Sequence, residues 1–415
     1  MISNRKIFFW SLIVALGGFL FGFDTAVISG AEQSIQTYWQ LNSFQHGLTI
    51  SIALVGTILG ALGGSIPSDR WGRKKTLIGI AVLYLFSSLG SAFATDWWLF
   101  LFCRFTGGIG VGASSVAAPV YISEIAPPER RGRLVAMFQF NVVFGILVSY
   151  FSNWLIGRTG ESAWRVMLGV QAIPSFIFLV LLRLVPETPR WLSQRGRQLV
   201  EKEEDEALLQ KKYRFPIFLA VMFAIFNQVS GINAIIYYAP RIFEMTGLGR
   251  SSSLLSTAGL GLVNFVFTLI AINFIDRIGR RSLMLIGSCG LIAMLGMVSA
   301  SFYLHLTDGI WVVVCLLVYI AFFAFSQGAV IWVFISEIFP TKVRAKGQTL
   351  GSFTHWVMAA VVAFAFPIVA EKAGGGHTFL FFSVMMCCQL LFVWKYMPET
   401  KGQSLEQIER TLILH

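Results

Sequence analysis

Long apolar blocks dominate this chain, and short polar or charged stretches separate them. A helix of about 20 mostly apolar residues crosses the hydrocarbon core of a bilayer. Blocks of that kind cover residues 8–30, 46–66, 76–94, 98–120, 134–156, 166–185, 215–238, 252–275, 283–304, 310–335, 348–370 and 378–397. They predict an all-α membrane protein with twelve transmembrane helices. The first block follows Arg5 and Lys6, as the core of a secretion signal does. It is too long for one and no small-residue cleavage site follows, so a retained helix is expected.

Composition supports this pattern. The chain is 56% hydrophobic and 13% charged, against about 25% charged residues in soluble proteins, which excludes a soluble globule. The net charge of +11 raises nucleic acid as a partner, but its distribution argues against one. Lysine and arginine cluster in alternate loops, the exceptions being Arg158, Arg165, Arg241, Arg250 and Lys372 on the other side and Arg104 within a block. That asymmetry predicts cytoplasmic amino and carboxyl termini. Cys103, Cys289, Cys315, Cys387 and Cys388 all fall in apolar blocks, without metal-ligand spacing to histidine. Buried thiols are expected, with neither a disulfide framework nor a metal site.

The chain is written twice. Asp69-Arg-Trp-Gly-Arg73 returns as Asp276-Arg-Ile-Gly-Arg280, the Glu124 to Arg131 stretch as Glu337 to Arg344, and Pro186-Glu-Thr as Pro398-Glu-Thr. Each recurs roughly 210 residues on, which predicts two homologous six-helix halves. The expected division is an amino-terminal bundle over 1–185, a charged cytoplasmic linker over 186–214, and a carboxyl-terminal bundle with a short tail over 215–415. No segment is long enough to fold a separate catalytic domain. The repeated elements carry acids as well as bases, more than a topology signal requires. Asp69, Arg73, Glu124 and Arg131, with Asp276, Arg280, Glu337 and Arg344, are therefore expected to form a cytoplasmic gate of interhelical ion pairs.

Ionisable residues inside a span cost at least about 2.5–3.5 kcal/mol at its centre and usually face a cavity. Asp24 and Arg104 are the two that stand out. If they meet, the arginine favours the charged carboxylate and desolvation disfavours it, as a proton carrier requires; a static ion pair is the alternative. The Gly108 to Gly112 run follows no strand, and close helix packing explains it better than nucleotide binding. Uncharged hydrogen-bonding residues form a second set: Asn227, Gln228, Asn233 and Tyr237 around Ser230-Gly231, where a helix can break at mid-membrane, with Gln139, Asn264, His355 and Trp356 in other spans. Gly328 and Trp332, four apart, leave a gap beside an aromatic face. Amides suit the hydroxyls of a sugar and aromatic rings its C–H faces, whereas no cluster of fixed charge awaits an anion.

Together with Asn227-Gln-Val-Ser-Gly-Ile-Asn-Ala-Ile-Ile-Tyr-Tyr238, the repeated motifs make nearly the whole chain resemble the sugar porter family of the major facilitator superfamily. The resemblance implies two bundles around a central site, alternating access and no covalent chemistry, hence a monosaccharide carrier in the lipid bilayer and not an enzyme. It implies sugar contacts at Phe21, Gln139, Gln228, Asn233, Tyr237, Asn264, Gly328, Trp332 and Trp356. Asp24 and Arg104 become the proton-coupling pair, because facilitators of the family usually lack an acid at the first position. No cofactor is implied beyond the proton as coupling ion. The sequence departs from the pattern in three places: Asn227-Gln228 replaces paired glutamines, His355 replaces an amide, and the linker is short. Proton symport is the favoured expectation, with facilitated transport of a sugar or polyol as the alternative. A membrane sugar sensor is disfavoured by the short tail, and an enzyme by the lack of any nucleophile, base and orienting group at workable positions. A bacterial inner membrane and function as a monomer, each chain supplying both halves, complete the expectation.

Overall fold

The computed structural model describes residues 4–127, 130–160, 162–196, 207–304, 310–340, 343–403 and 407. All regular structure among them is helical. Among the described residues, eleven segments are long and apolar enough to cross a bilayer. The last, Arg344–Tyr396, has 53 residues, about 80 Å of helix and more than twice a bilayer core. Gly374 interrupts it at φ 78, ψ 164. Two spans meet there, which accounts for the twelve expected.

The chain forms two compact units, Met1–Val200 with Arg250–Gly261, and Glu201–Gly249 with Leu262–His415. The most charged part of the expected linker, 197–206, lies outside the described residues. In the first unit α1 (Asn4–Tyr38) packs along α6 (Arg131–Ile156), and α2 (Ser43–Gly63) along α5 (Trp97–Ile125), which also packs on α4 (Arg73–Phe93). Short α3 (Ser65–Trp71) joins α2 to α4, and α7 (Ala163–Gly169), α8 (Ala172–Leu181) and α9 (Pro189–Gly196) follow. Local chemistry fixes the helix starts. Asn42 and Gln45 form a reciprocal capping box at α2, and the Asp96 side chain accepts the Leu99 N–H at α5, satisfying donors that a helix terminus leaves open. The glycine run behaves as expected: a Cβ at Gly108 or Gly112 would overlap the carbonyl oxygen of Ala53 or Thr57 on α2.

In the second unit the seventh span is α10 (Arg214–Val229) and α11 (Ile232–Glu244), broken at Ser230 and Gly231 as expected. Gly231 sits at φ 86, a conformation that a side chain disfavours. Span eight is α12 (Arg250–Ile278), whose first turns belong to the first unit, and span nine is α13 (Arg280–Tyr303). The tenth also breaks, at Ser326, into α14 (Ile310–Phe325) and α15 (Gln327–Glu337), before the long α16 (Arg344–Tyr396). Phe223 anchors the core, its ring centroid 5.1 Å from that of Phe334 and 5.4 Å from that of Phe392.

Large apolar side chains also face outward, among them Phe93 at 76% exposure and Trp394 at 66%, which suits a bilayer and not water as the surrounding solvent. The same reasoning corrects one expectation. All five cysteines are free, but only Cys103 and Cys315 are buried; Cys289, Cys387 and Cys388 are exposed. An apolar block places a thiol within a span without deciding whether it faces protein or lipid.

Candidate functional site

Three polar clusters arise, each within one unit. In the first unit, Asp24 and Arg104 meet. Nη1 of Arg104 donates to Oδ1 of Asp24 at 2.9 Å, and Nη2 donates to the Asp24 carbonyl oxygen at 3.3 Å. Both residues are buried, at 2% and 3% exposure. Gly107, three residues after Arg104, lies against this pair, and a Cβ there would stand 3.6 Å from Oδ1 of Asp24. Removing either charge from a pair this deep would leave the other buried without its countercharge. Phe21, nearly one turn before Asp24, faces Phe138 with ring centroids 6.5 Å apart. Gln139, the next residue of α6, is exposed.

The second cluster surrounds the break in the seventh span. Asn233 donates from Nδ2 to Oε1 of Gln228 at 2.7 Å, and Gln228 donates from Nε2 to Oδ1 of Asn227 at 2.8 Å. These bonds turn the Gln228 amide so that Nε2 also faces the His355 ring nitrogens, at 3.2 and 3.3 Å. The His355 ring is flanked by Trp332 and Trp356, with centroids 4.8 and 5.0 Å away. An amide chain, an imidazole and two indoles thus come together from α10, α11, α15 and α16. Tyr237 is buried on α11, Asn264 is half-buried on α12, and Gly328 lies in the first turn of α15. Among the described residues, no hydrogen bond ties Asn264 to the cluster. Tyr319 on α14 escaped the sequence reading, yet its hydroxyl donates to the Ser230 carbonyl oxygen at 2.9 Å and supports the break.

The third cluster occurs twice, once at one end of each unit. In the first, Arg73 pairs with Glu124 at 3.0 Å, and with exposed Asp69 at 3.0 Å. Thr188 donates to the same Glu124 carboxylate, and Glu187 accepts the backbone N–H groups of Arg73 and Lys74. In the second, Arg280 pairs with Glu337 at 2.8 Å, Thr400 donates to Glu337 at 2.6 Å, and Glu399 accepts the N–H groups of Arg280 and Arg281. Glu187 and Glu399 each occupy a helix N-terminus, where free N–H groups favour an anion. Gly72 and Gly279, at φ 103 and 99, admit it, because a Cβ at either would overlap the carboxylate.

Ion pairs join Arg73 to Glu124 and Arg280 to Glu337, across motifs, whereas Arg131 is exposed and Arg344 donates to the Phe339 carbonyl oxygen at 3.2 Å. The side chain of Asp276 lies outside the described set. Glu187, Thr188, Glu399 and Thr400 were missed as members of this cluster, although Pro-Glu-Thr repeats in register with the other motifs and could have revealed them. Among the described residues no group of three or more His, Cys, Asp or Glu side chains comes together as a metal site would require.

The "Sugar (and other) transporter" family model matches residues 10–211 and again 200–412. The chain is 36% identical over 437 residues to the arabinose-proton symporter of Bacillus subtilis, covering 97% of this chain and 94% of that one. It is 35% identical to the glucose transport protein of a Synechocystis strain, with 95% of each covered. Among solved structures, the inward open conformation of the xylose transporter XylE from E. coli superposes with a TM-score of 0.87 at 34% identity, covering 98% of this chain and 99% of that one.

Proposed function

Because this chain belongs to the sugar transporter family, we propose that it carries a monosaccharide across a membrane by alternating access, coupled to proton symport. It is a carrier and not an enzyme. The observation that carries the coupling is the buried Asp24–Arg104 pair, in a span where a lone charge would be expensive. In this reading Asp24 takes up a proton with the sugar and releases it on the other side, while Arg104 steadies the carboxylate between turnovers. The relative named as an arabinose-proton symporter supports proton coupling.

Gln228, Asn233 and His355 supply hydrogen bonds to sugar hydroxyls, with Asn227 holding the Gln228 amide in its orientation. Trp332 and Trp356 offer flat faces to sugar C–H groups. Phe21, Gln139, Tyr237, Asn264 and Gly328 complete the proposed sugar contacts. The clusters around Glu124 and Glu337 act as the gate, each locking the helix ends of its own unit in one conformation. A ligand moves such an equilibrium only by binding its two states unequally. Further parts of the proposal are cytoplasmic termini, two six-helix bundles over 1–185 and 215–415 joined by the 186–214 linker, a bacterial inner membrane, and function as a monomer.

The test is reconstitution into liposomes with labelled arabinose, xylose, glucose and inositol, with and without an inward proton gradient. Accumulation of one sugar that collapses with the gradient is expected. Equilibration indifferent to the gradient would instead identify a facilitative carrier and leave Asp24 structural.

A further inference from the structure

A second acid lies buried in α1. Oε2 of Glu32 is 2.7 Å from Nε2 of His46 on α2, and both side chains are fully buried. The pair bridges the hairpin that joins the two helices, and neither the sugar cluster nor the gate contains it. The hairpin is built to hold it. The Asn42–Gln45 capping box fixes the first turn of α2, where the His46 N–H donates to the Asn42 carbonyl oxygen at 2.8 Å. Glu32 stands eight residues beyond Asp24 on the same unbroken helix, about 12 Å along its axis.

We propose that Glu32 and His46 form a second proton-binding site, separate from Asp24, where uptake of a proton by the neutral imidazole beside the Glu32 carboxylate turns the α1–α2 contact into an ion pair. Imidazole is the side chain whose charge changes near neutral pH. Against a carboxylate at 2.7 Å, with both side chains fully buried, the imidazolium binds more strongly than the neutral ring, because it adds the attraction of opposite charges.

The charged groups of the packed elements of the first unit have contacts of their own or are exposed, as Lys75 of α4 and Arg131 and Arg133 of α6 are. Arg104 of α5 binds Asp24, and Asp96 at the start of α5 accepts the Leu99 N–H. Arg165 of α7 donates to the carbonyl oxygens of Ala92 and Ala94, Arg158 beyond α6 lies over Trp154, and Arg250 donates to Ser34 at 2.7 Å. Arg73 and Lys74, at the start of α4, engage Glu124 and Glu187. Asp69 of α3 pairs with Arg73, and Arg70 is exposed.

The test is thermal unfolding of the purified full-length protein near pH 5.5 and near pH 8.5, for the wild type, E32Q and H46Q. The ion pair exists where His46 is protonated, so its stabilisation is present in acid and lost as pH rises. The melting advantage of the wild type over each variant is expected to shrink at least about twofold between the two pH values. An advantage equal at both pH values would overturn the proposal and leave a contact indifferent to protonation. If H46Q does not fold, E32Q removes the same pair while retaining the imidazole. Because melting requires no transport, this result is independent of the sugar-carrier reading, which the liposome experiment decides separately.

Discussion

Replacing Asp24 by asparagine removes the proposed proton site while leaving most of its geometry. One proton per sugar lets a one-unit pH difference hold about a tenfold sugar gradient, or ~1.4 kcal/mol. With asparagine no proton is carried, so the expected ratio is unity. The main competing outcome is collapse of the fold, because removing one member of a buried ion pair costs about 3–5 kcal/mol. Here the geometry limits that loss. Asparagine keeps an Oδ1 that can accept from Nη1 of Arg104, and the main-chain oxygen that accepts from Nη2 is untouched. Asparagine also resembles the neutral, protonated acid, the form expected to carry sugar. The assay is therefore paired, with the membrane potential clamped: net accumulation of labelled sugar under an inward proton gradient, and exchange of labelled for unlabelled sugar without one. D24N is expected to lose accumulation and retain exchange. Accumulation of about tenfold in D24N, at wild-type protein levels, would falsify the assignment of the coupling site.

Removing single hydrogen bonds from the second cluster should weaken sugar binding in proportion. N233A frees the Gln228 amide and H355A removes the ring it faces, so each is expected to cost about 0.5–1.5 kcal/mol, or roughly 2- to 12-fold in Kd. Intrinsic tryptophan fluorescence can follow this because Trp332 and Trp356 flank His355, and unchanged affinity in both variants would remove the cluster from the sugar site. E187Q and E399Q each replace an anion at a helix N-terminus by an amide whose NH2 cannot accept. Each should lower stability by about 1–3 kcal/mol, read as a shift of the melting temperature; a variant that melts with the wild type would show that its anion contributes nothing. G231A places a Cβ 2.6 Å from the Phe382 ring at φ 86, and a loss of at least about 1–2 kcal/mol is expected, with wild-type stability contradicting the account of the break.

Much of this was legible in the sequence because the bilayer enforces simple rules. Hydrophobic length revealed the spans, and repetition revealed the two sets of motifs. Polar residues inside spans identified Asp24, Arg104 and the Asn227–Gln228–Asn233 group, which the fold then brings into contact. What escaped depends on three-dimensional pairing. Thr188 joins Glu124, and Glu187 joins Arg73, because the start of α4 and the Pro186-Glu-Thr turn converge on the end of α5. Glu32 lies just beyond the apolar block of the first span and His46 at the edge of the second, so neither looked intramembrane. Apolar blocks were equally silent on helix faces, which is why three cysteines expected inside are exposed.

The central claim is that proton and sugar move together, and proton flux tests it most directly. Sugar is added outside de-energised, lightly buffered proteoliposomes with the membrane potential clamped, and the external pH is recorded. The account predicts a transient external alkalinisation, driven by sugar entry, absent in D24N and abolished by a protonophore. Sugar entry at full rate without any pH change in the wild-type vesicles would contradict it.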